Sequence, residues 1–363
     1  MNLTRWNSMA VSVLLIGAIA TLACAAEGAT PTATTVPTPL DTVRPTPTPT
    51  RVPTATPTEQ PTSTPTPTPR TLSCGDTITS DTVLANDLTC GEGIALIIGA
   101  DDIRLDLAGH TLSGPGRGPW VWPRRATTSI AVFAGRRTGV WIGNGNVTRF
   151  STGVLLEGTT DSEVSLLAAT DNFYGIYLIE ATENRITDNF VRKNTYGIHL
   201  QMSNSNFIVG NESFNNLYQS PGGYGLNLIL SDGNEVRDNV MEANVNQGIW
   251  IVASKNNLIF RNDLINNRPN GMDETSQYMR LEETVEDGRE EVPEGLLSPM
   301  EMVDRLVAAT GANEWYNSDL KEGNYWSDYE GVDADGDGIG DTPHLISGSR
   351  EAEDIYPSVN PYR

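Results

Sequence analysis

The chain has 363 residues with 22 prolines, 34 glycines, 38% hydrophobic and only 7% aromatic residues, and a formal charge of −22. Phosphate contacts need lysine and arginine in excess, so a nucleic-acid binder working through a basic surface is excluded, and the polarity excludes a polytopic membrane protein. Glycine and asparagine are poor helix formers, which argues against a helical bundle. Residues 268–363 carry 23 acidic against 7 basic side chains, so most of the charge belongs to one end.

Taken in chain order, Arg5 precedes an apolar run at residues 9–23. It is long enough for the core of an export signal and too short to cross a bilayer comfortably. Residues 1–24 therefore read as a signal peptide. The run stops at Cys24, and Thr21-Leu22-Ala23-Cys24 resembles the lipobox of bacterial lipoproteins, with Thr21 departing from the usual leucine. That resemblance implies lipidation of Cys24 and a membrane anchor on the extracytoplasmic face, either cell surface or periplasm. The alternative is ordinary cleavage within Ala23-Cys24-Ala25-Ala26. Residues 25–70 follow as a Thr/Pro tract holding 12 of the prolines. Alternating proline keeps the backbone near polyproline II without a core, giving a disordered spacer that could reach on the order of 130 Å. Cys74 and Cys90 close a short loop and can pair in an oxidising compartment, leaving Cys24 single for the lipid. Free buried thiols are the other reading.

Aligned on itself, the middle of the chain repeats with a period of about 22 residues. A first asparagine recurs at 184, 206, 234 and 257, a second at 189, 211, 239 and 262, and a third at 172, 194, 216, 244 and 267. A glycine recurs at 153, 175, 197, 225 and 248. All columns carry the same six-residue insertion, around Leu217 to Gly223. Each unit holds three short alternating segments, such as Arg185-Ile186-Thr187, Phe190-Val191-Arg192 and Gly197-Ile198-His199-Leu200. Period-two alternation indicates strands with one buried face. The fold predicted is all-β, a single-stranded right-handed parallel β-helix over residues 71–363, with insertions at 114–128 and 268–312. The asparagines are expected to stack in ladders and to take up the left-handed backbone at the corners.

The opening CGDTITSDTVLANDLTC, the segment Leu105-Asp106-Leu107-Ala108-Gly109-His110-Thr111-Leu112, the Asn-rich coils and the closing Gly323-Asn324-Tyr325-Trp326-Ser327-Asp328-Tyr329 resemble the NosD-like β-helix family. This belongs to the carbohydrate-binding and sugar-hydrolase repeat domains, related in fold to pectate lyases. The resemblance implies copper handling, carbohydrate binding, or a polysaccharide lyase or epimerase. Copper needs clustered imidazole or thioether ligands, and the chain offers His110, His199 and His344, with Met202 near His199 in sequence. For a lyase the candidates are Asp188 and Asp238 with Arg192, Lys193 and Arg237, but Gly210 stands between them and turn capping explains both aspartates. No catalytic residue is assigned.

Two features carry chemistry on their own residues. In the Gly-Ile-x-Leu strand the residue between the inward Ile and Leu should face out, which stacks Leu155, Tyr177, His199, Asn227 and Trp250 into an exposed stripe beside Glu157 and Gln201. Such a stripe can stack against and hydrogen-bond a sugar chain, the other reading being isolated surface residues. Tyr177, His199, Gln201, Asn227 and Trp250 are the candidate groove. The second feature is Asp333, Asp335, Asp337, the Ile339 carbonyl and Asp341, alternating oxygen ligands that suit a structural calcium ion, with Asp328 as a further carboxylate. A solvated acidic turn is its alternative. Ser298-Pro299-Met300-Glu301 opens a short amphipathic helix expected to pack over the rod. The partners expected are extracellular or cell-wall polysaccharide and, through the lipid, a membrane; nucleic acid is not among them, and the chain is expected to be a monomer.

Overall fold

The computed structural model describes residues 68–116, 129–217, 222–274, 312–348 and 352–363, all within the unit Thr64–Arg363. The expected signal peptide, Cys24, nearly all of the spacer and the amphipathic helix at Ser298 lie outside the described residues.

The described residues form strands and turns with no α-helix, and the strands pair in parallel as successive coils of one right-handed β-helix. A long-strand face contains Gly93–Ile98, Ser129–Gly135, Thr152–Glu157, Tyr174–Ile179, Tyr196–Gln201, Tyr224–Ile229, Ile249–Val252 and Gly271–Glu274, each paired with the next. Two shorter faces hold three-residue strands such as Arg185–Thr187 and Phe190–Arg192. They run together as one strand in Trp141–Thr148 and Glu163–Thr170. Register survives the insertion, since Gln201 pairs with Ile229. The expected insertion at 268–312 begins later than predicted, because Gly271–Glu274 completes another long strand.

Inward residues stack in columns. Leu96, Val132, Val154, Ile176, Ile198, Leu226 and Ile249 are fully buried at successive rungs, and each such side chain stabilises the fold by about 1.5–3 kcal/mol. At the three corners the buried groups are asparagines. In the second column, Oδ1 of Asn211 accepts from the backbone N–H of Asn189 at 3.0 Å and from its Nδ2 at 2.9 Å. The Nδ2 of Asn211 in turn donates to Oδ1 of Asn239 and to the carbonyl of Ile186. Along the column each Oδ1 thus accepts from the preceding coil, while Nδ2 donates forward to the next Oδ1 and back to a carbonyl of the preceding coil.

The ladders are as expected, but the left-handed residue is the one before each asparagine. Asp188, Gly210, Asp238 and Arg261 have φ of 53°, 73°, 55° and 55°, and Lys193, Asn215, Ala243 and Asn266 repeat this at the third corner. The ladder asparagine keeps an ordinary backbone because its amide must point inward along the rod. The glycine column follows from the same geometry. A Cβ on Gly225 would come within 2.8 Å of Asn244 Nδ2, and one on Gly248 within 2.6 Å of Asn267 Nδ2. The ladder amides leave no room for a side chain there.

The first coil is closed by the Cys74–Cys90 disulfide and by Asn86, which exchanges hydrogen bonds with Leu72. The other end is closed by Trp315 and Trp326, both fully buried with ring centroids 5.7 Å apart, and by the antiparallel pair His344–Gly348 and Ala352–Asp354. Here all three ladders stop on a carboxylate. Asn257 donates to Asn313, whose Nδ2 donates to Asp273. Asn262 donates to Asn324, which donates to Asp354, and Asn267 donates to Asn270, which donates to Asp328.

Candidate ligand face and terminal acidic loop

Leu155, Tyr177, His199, Asn227 and Trp250 stack in register on the outer side of the long-strand face, as the repeat requires. They are not the exposed stripe expected. Tyr177 is 8% exposed, His199 4% and Asn227 0%, and only Trp250 is half-buried. What covers them includes a second row that sequence reasoning missed, Tyr174, Tyr196 and Tyr224, paired at successive rungs. Tyr174 stacks on Tyr177 at 4.6 Å and on Tyr196 at 4.9 Å, and Tyr224 stacks on Trp250 at 4.7 Å. His199 lies about 5 Å from the rings of Tyr174, Tyr177 and Tyr196. The third row, Glu157, Ile179, Gln201, Ile229, Val252 and Glu274, is half-buried except for Val252, which is buried; Gln201 accepts from the Tyr177 hydroxyl at 2.7 Å, and Glu274 accepts from Trp250 Nε1 at 2.9 Å.

Burial sets the electrostatics of this face. It pushes the His199 imidazole down to about 3, so the ring is neutral at ordinary pH, and it pushes the hydroxyls of Tyr174, Tyr177 and Tyr196 well above the usual tyrosine range. On and beside this face the buried Oε1 of Gln247 and Oγ1 of Thr195 lack a hydrogen-bond partner among the described residues, while His199 pairs with the Asn227 side chain. Leaving such an atom unpaired costs about 1–3 kcal/mol.

The terminal loop gathers Asp333, Asp335 and Asp337, whose carboxylates offer oxygens all within 4.8 Å of one another. Asp333 accepts from the N–H groups of Gly336, Asp337 and Gly338, with left-handed φ at both glycines, so the turn is preformed. Asp341 accepts from the N–H of Ala334 across the loop's mouth. The Ile339 carbonyl has no role that the fold itself assigns, while Ile339 bridges to Ser358. Asp328 is engaged elsewhere, taking Asn270 Nδ2 at 2.7 Å and standing 4.0 Å from His344 Nε2. These donors fit a calcium ion by type, three carboxylates on a tight turn that would supply part of its oxygen shell.

The histidines are apart. His110 pairs with Asp87 at 3.0 Å, His199 lies among tyrosines, and His344 stacks on Trp326 at 4.3 Å. Met202 packs with Leu230, Val252 and Ala253 in a different cluster from His199. No copper-type set is brought together among the described residues. Asp238 is held by Arg237 and Arg261 at 2.6 and 2.7 Å, and Asp188, Asn189, Phe190, Gly210, Glu212 and Arg363 line a depression of about 240 Å³. Glu212 lines the same depression as Asp188, and Asp238 shares its two arginines with Glu235 and Glu322, so both aspartates are held in the turn surface.

Residues 126–290 match the model of the family described as periplasmic copper-binding protein (NosD). The coils within that span resemble this family. No curated protein matches the chain. Similar solved structures include a mutant periplasmic alginate epimerase, with 18% identity over 53% of this chain and 56% of that one at a TM-score of 0.33. Another is the Dettilon tailspike protein, with 15% identity over 52% and 46% at 0.35. A third is the A-module of the Azotobacter vinelandii mannuronan C-5 epimerase, with 13% identity over 56% and 61% at 0.32. The chain spans about half the length of the solved structures it matches. The fold of the coils rests on the strand registers above, and no activity is carried over from these structures.

Proposed function

We propose that the protein is an extracytoplasmic binding module whose long-strand face holds a carbohydrate chain. The observation that carries this reading is the row of half-buried aromatic rims, Tyr174, Tyr196 and Trp250, flanked by the half-buried amides of Gln201 and Gln247. Sugar hydroxyls supply donors and acceptors at close spacing, and aromatic rims take up the apolar faces of the rings. The coil repeat near 4.8 Å suits a polymer lying along the rod. Export is supported by the apolar run at residues 9–23, by the Cys74–Cys90 disulfide and by a family described as periplasmic. Lipidation of Cys24 and a Thr/Pro stalk would hold the module away from a membrane. Calcium at Asp333, Asp335 and Asp337 would pin the terminal loop rather than touch the ligand. A glycan array probed with the full chain and with Trp250→Ala tests the reading: binding by the wild type and a loss of about tenfold or more in the variant are expected. An array with no bound glycan overturns it.

A further inference from the structure

Charge is missing from the candidate face in one sign only. The three outward rows of the long-strand face, from Ile94 to Glu274, contain no lysine or arginine. Their ionisable carboxylates are Glu157 and Glu274, one toward each end, and the histidine between them is buried among rings. Every group offered to a ligand is therefore neutral or acidic: the rims of Tyr174 and Tyr196, the Gln201 and Gln247 amides, the indole of Trp250 and the two carboxylates.

Resting on the carbohydrate reading above, we propose that this face selects neutral sugars and rejects uronates. A uronate polymer carries one carboxylate per residue at neutral pH. Laid along this face, each would be stripped of water against apolar rings with no cation to receive it, and the outermost would meet Glu157 or Glu274. Neutral hexoses present only hydroxyls, which the half-buried amides of Gln201 and Gln247 can pair without a charge to desolvate. The net charge of −22 adds long-range repulsion of the same sign, which salt screens, whereas the local desolvation remains.

The test uses the full chain and two probes of equal length, a neutral β-linked hexose oligomer and an oligouronate, titrated at low and high salt. The neutral oligomer should bind about tenfold or more tightly than the uronate, and high salt should narrow this gap without closing it. Gln201→Lys, a half-exposed position, should raise uronate affinity while the neutral oligomer changes by less. Tighter binding of the uronate by the wild type overturns this selectivity and leaves the carbohydrate reading standing. Binding of neither probe, with none on the wider array, removes both.

Discussion

From Asn184 to Asn244 each ladder amide donates one Nδ2 proton to the asparagine one coil on, whereas at the carboxyl end the ladders finish on Asp273, Asp328 and Asp354. An amide both accepts and donates, so a column of them propagates indefinitely. A carboxylate only accepts, so it stops the column without leaving a donor buried and unpaired. Trp315 and Trp326 use the same two acids, donating Nε1 to Asp273 at 3.2 Å and to Asp354 at 2.8 Å. Termination of the ladders and closure of the hydrophobic core are therefore one structure, and the two regions should fail differently.

The largest effect is expected in the middle of a ladder. Asn211→Ala removes the acceptor of two Asn189 donors and the donor to Ile186 and Asn239. With several buried groups unpaired at once, the loss should be about 4 kcal/mol, read as a shift of the urea midpoint. A loss below about 1 kcal/mol would mean that the ladder is decoration on a core that holds itself.

At the closure, pH separates the regions. Burial raises the Asp354 carboxyl to about 6, against the opposing pull of the Asn324, Trp326 and Tyr356 N–H groups. The folded state thus holds the proton more tightly than the unfolded chain. Its contribution is full below about pH 4 and is lost as pH rises through about 6. Asp354→Asn lacks that titration. The wild type should therefore lose on the order of 3 kcal/mol relative to the variant between pH 4 and pH 7. A gap moving the other way would show that the hydrogen bonds, not burial, govern this carboxyl. Asn211→Ala should leave the pH profile unchanged.

Gly225→Ala probes the space that the ladder occupies. The added methyl meets the Gly248 carbonyl oxygen at 2.5 Å, Asn244 Nδ2 at 2.8 Å and Met241 Sδ at 3.2 Å. Overpacking at a rigid amide should destabilise by about 2 kcal/mol. The double variant with Asn244→Ala should recover part of this, and simple additivity would show that the two positions are uncoupled.

These contrasts also mark what the sequence made legible. Columns of asparagine and glycine stood out because each coil places one residue type at one corner, so register is written as spacing. The end of each ladder was not legible. Asn313 and Asn324 follow Asn257 and Asn262 by 56 and 62 residues, across the insertion, and their aspartate partners belong to no repeat. The serine column at Ser203, Ser231 and Ser254 was available at the same 28 and 23 spacing and was missed. The tyrosine row failed for another reason. Strict alternation puts Tyr174 on the inner side, but the missing side chain of Gly175 lies toward Val191 and Asn194, and the strand breaks its alternation there. Tyr174 then swings out to stack on Tyr177, and the expected open stripe is roofed by rings.

The smallest effect is expected at the acidic loop, which hangs on the closure rather than within it. Gly340 N–H donates to the Pro357 carbonyl and Val359 N–H to the Gly338 carbonyl, so the loop touches the cap along one short seam. Millimolar calcium acting on a site of extracellular-type affinity should raise stability by about 1 kcal/mol, a few degrees in the melting temperature. Asp337→Ala should abolish the increment while leaving the calcium-free melting temperature nearly unchanged. The same increment should survive in Asn211→Ala, because the loop and that ladder share no hydrogen bond among the described residues. If calcium gives no shift in the wild type, the loop is an acidic turn whose own N–H groups satisfy its carboxylates. If it rescues Asn211→Ala by much more than it stabilises the wild type, the closure and the coils are coupled, and the separation drawn between them fails.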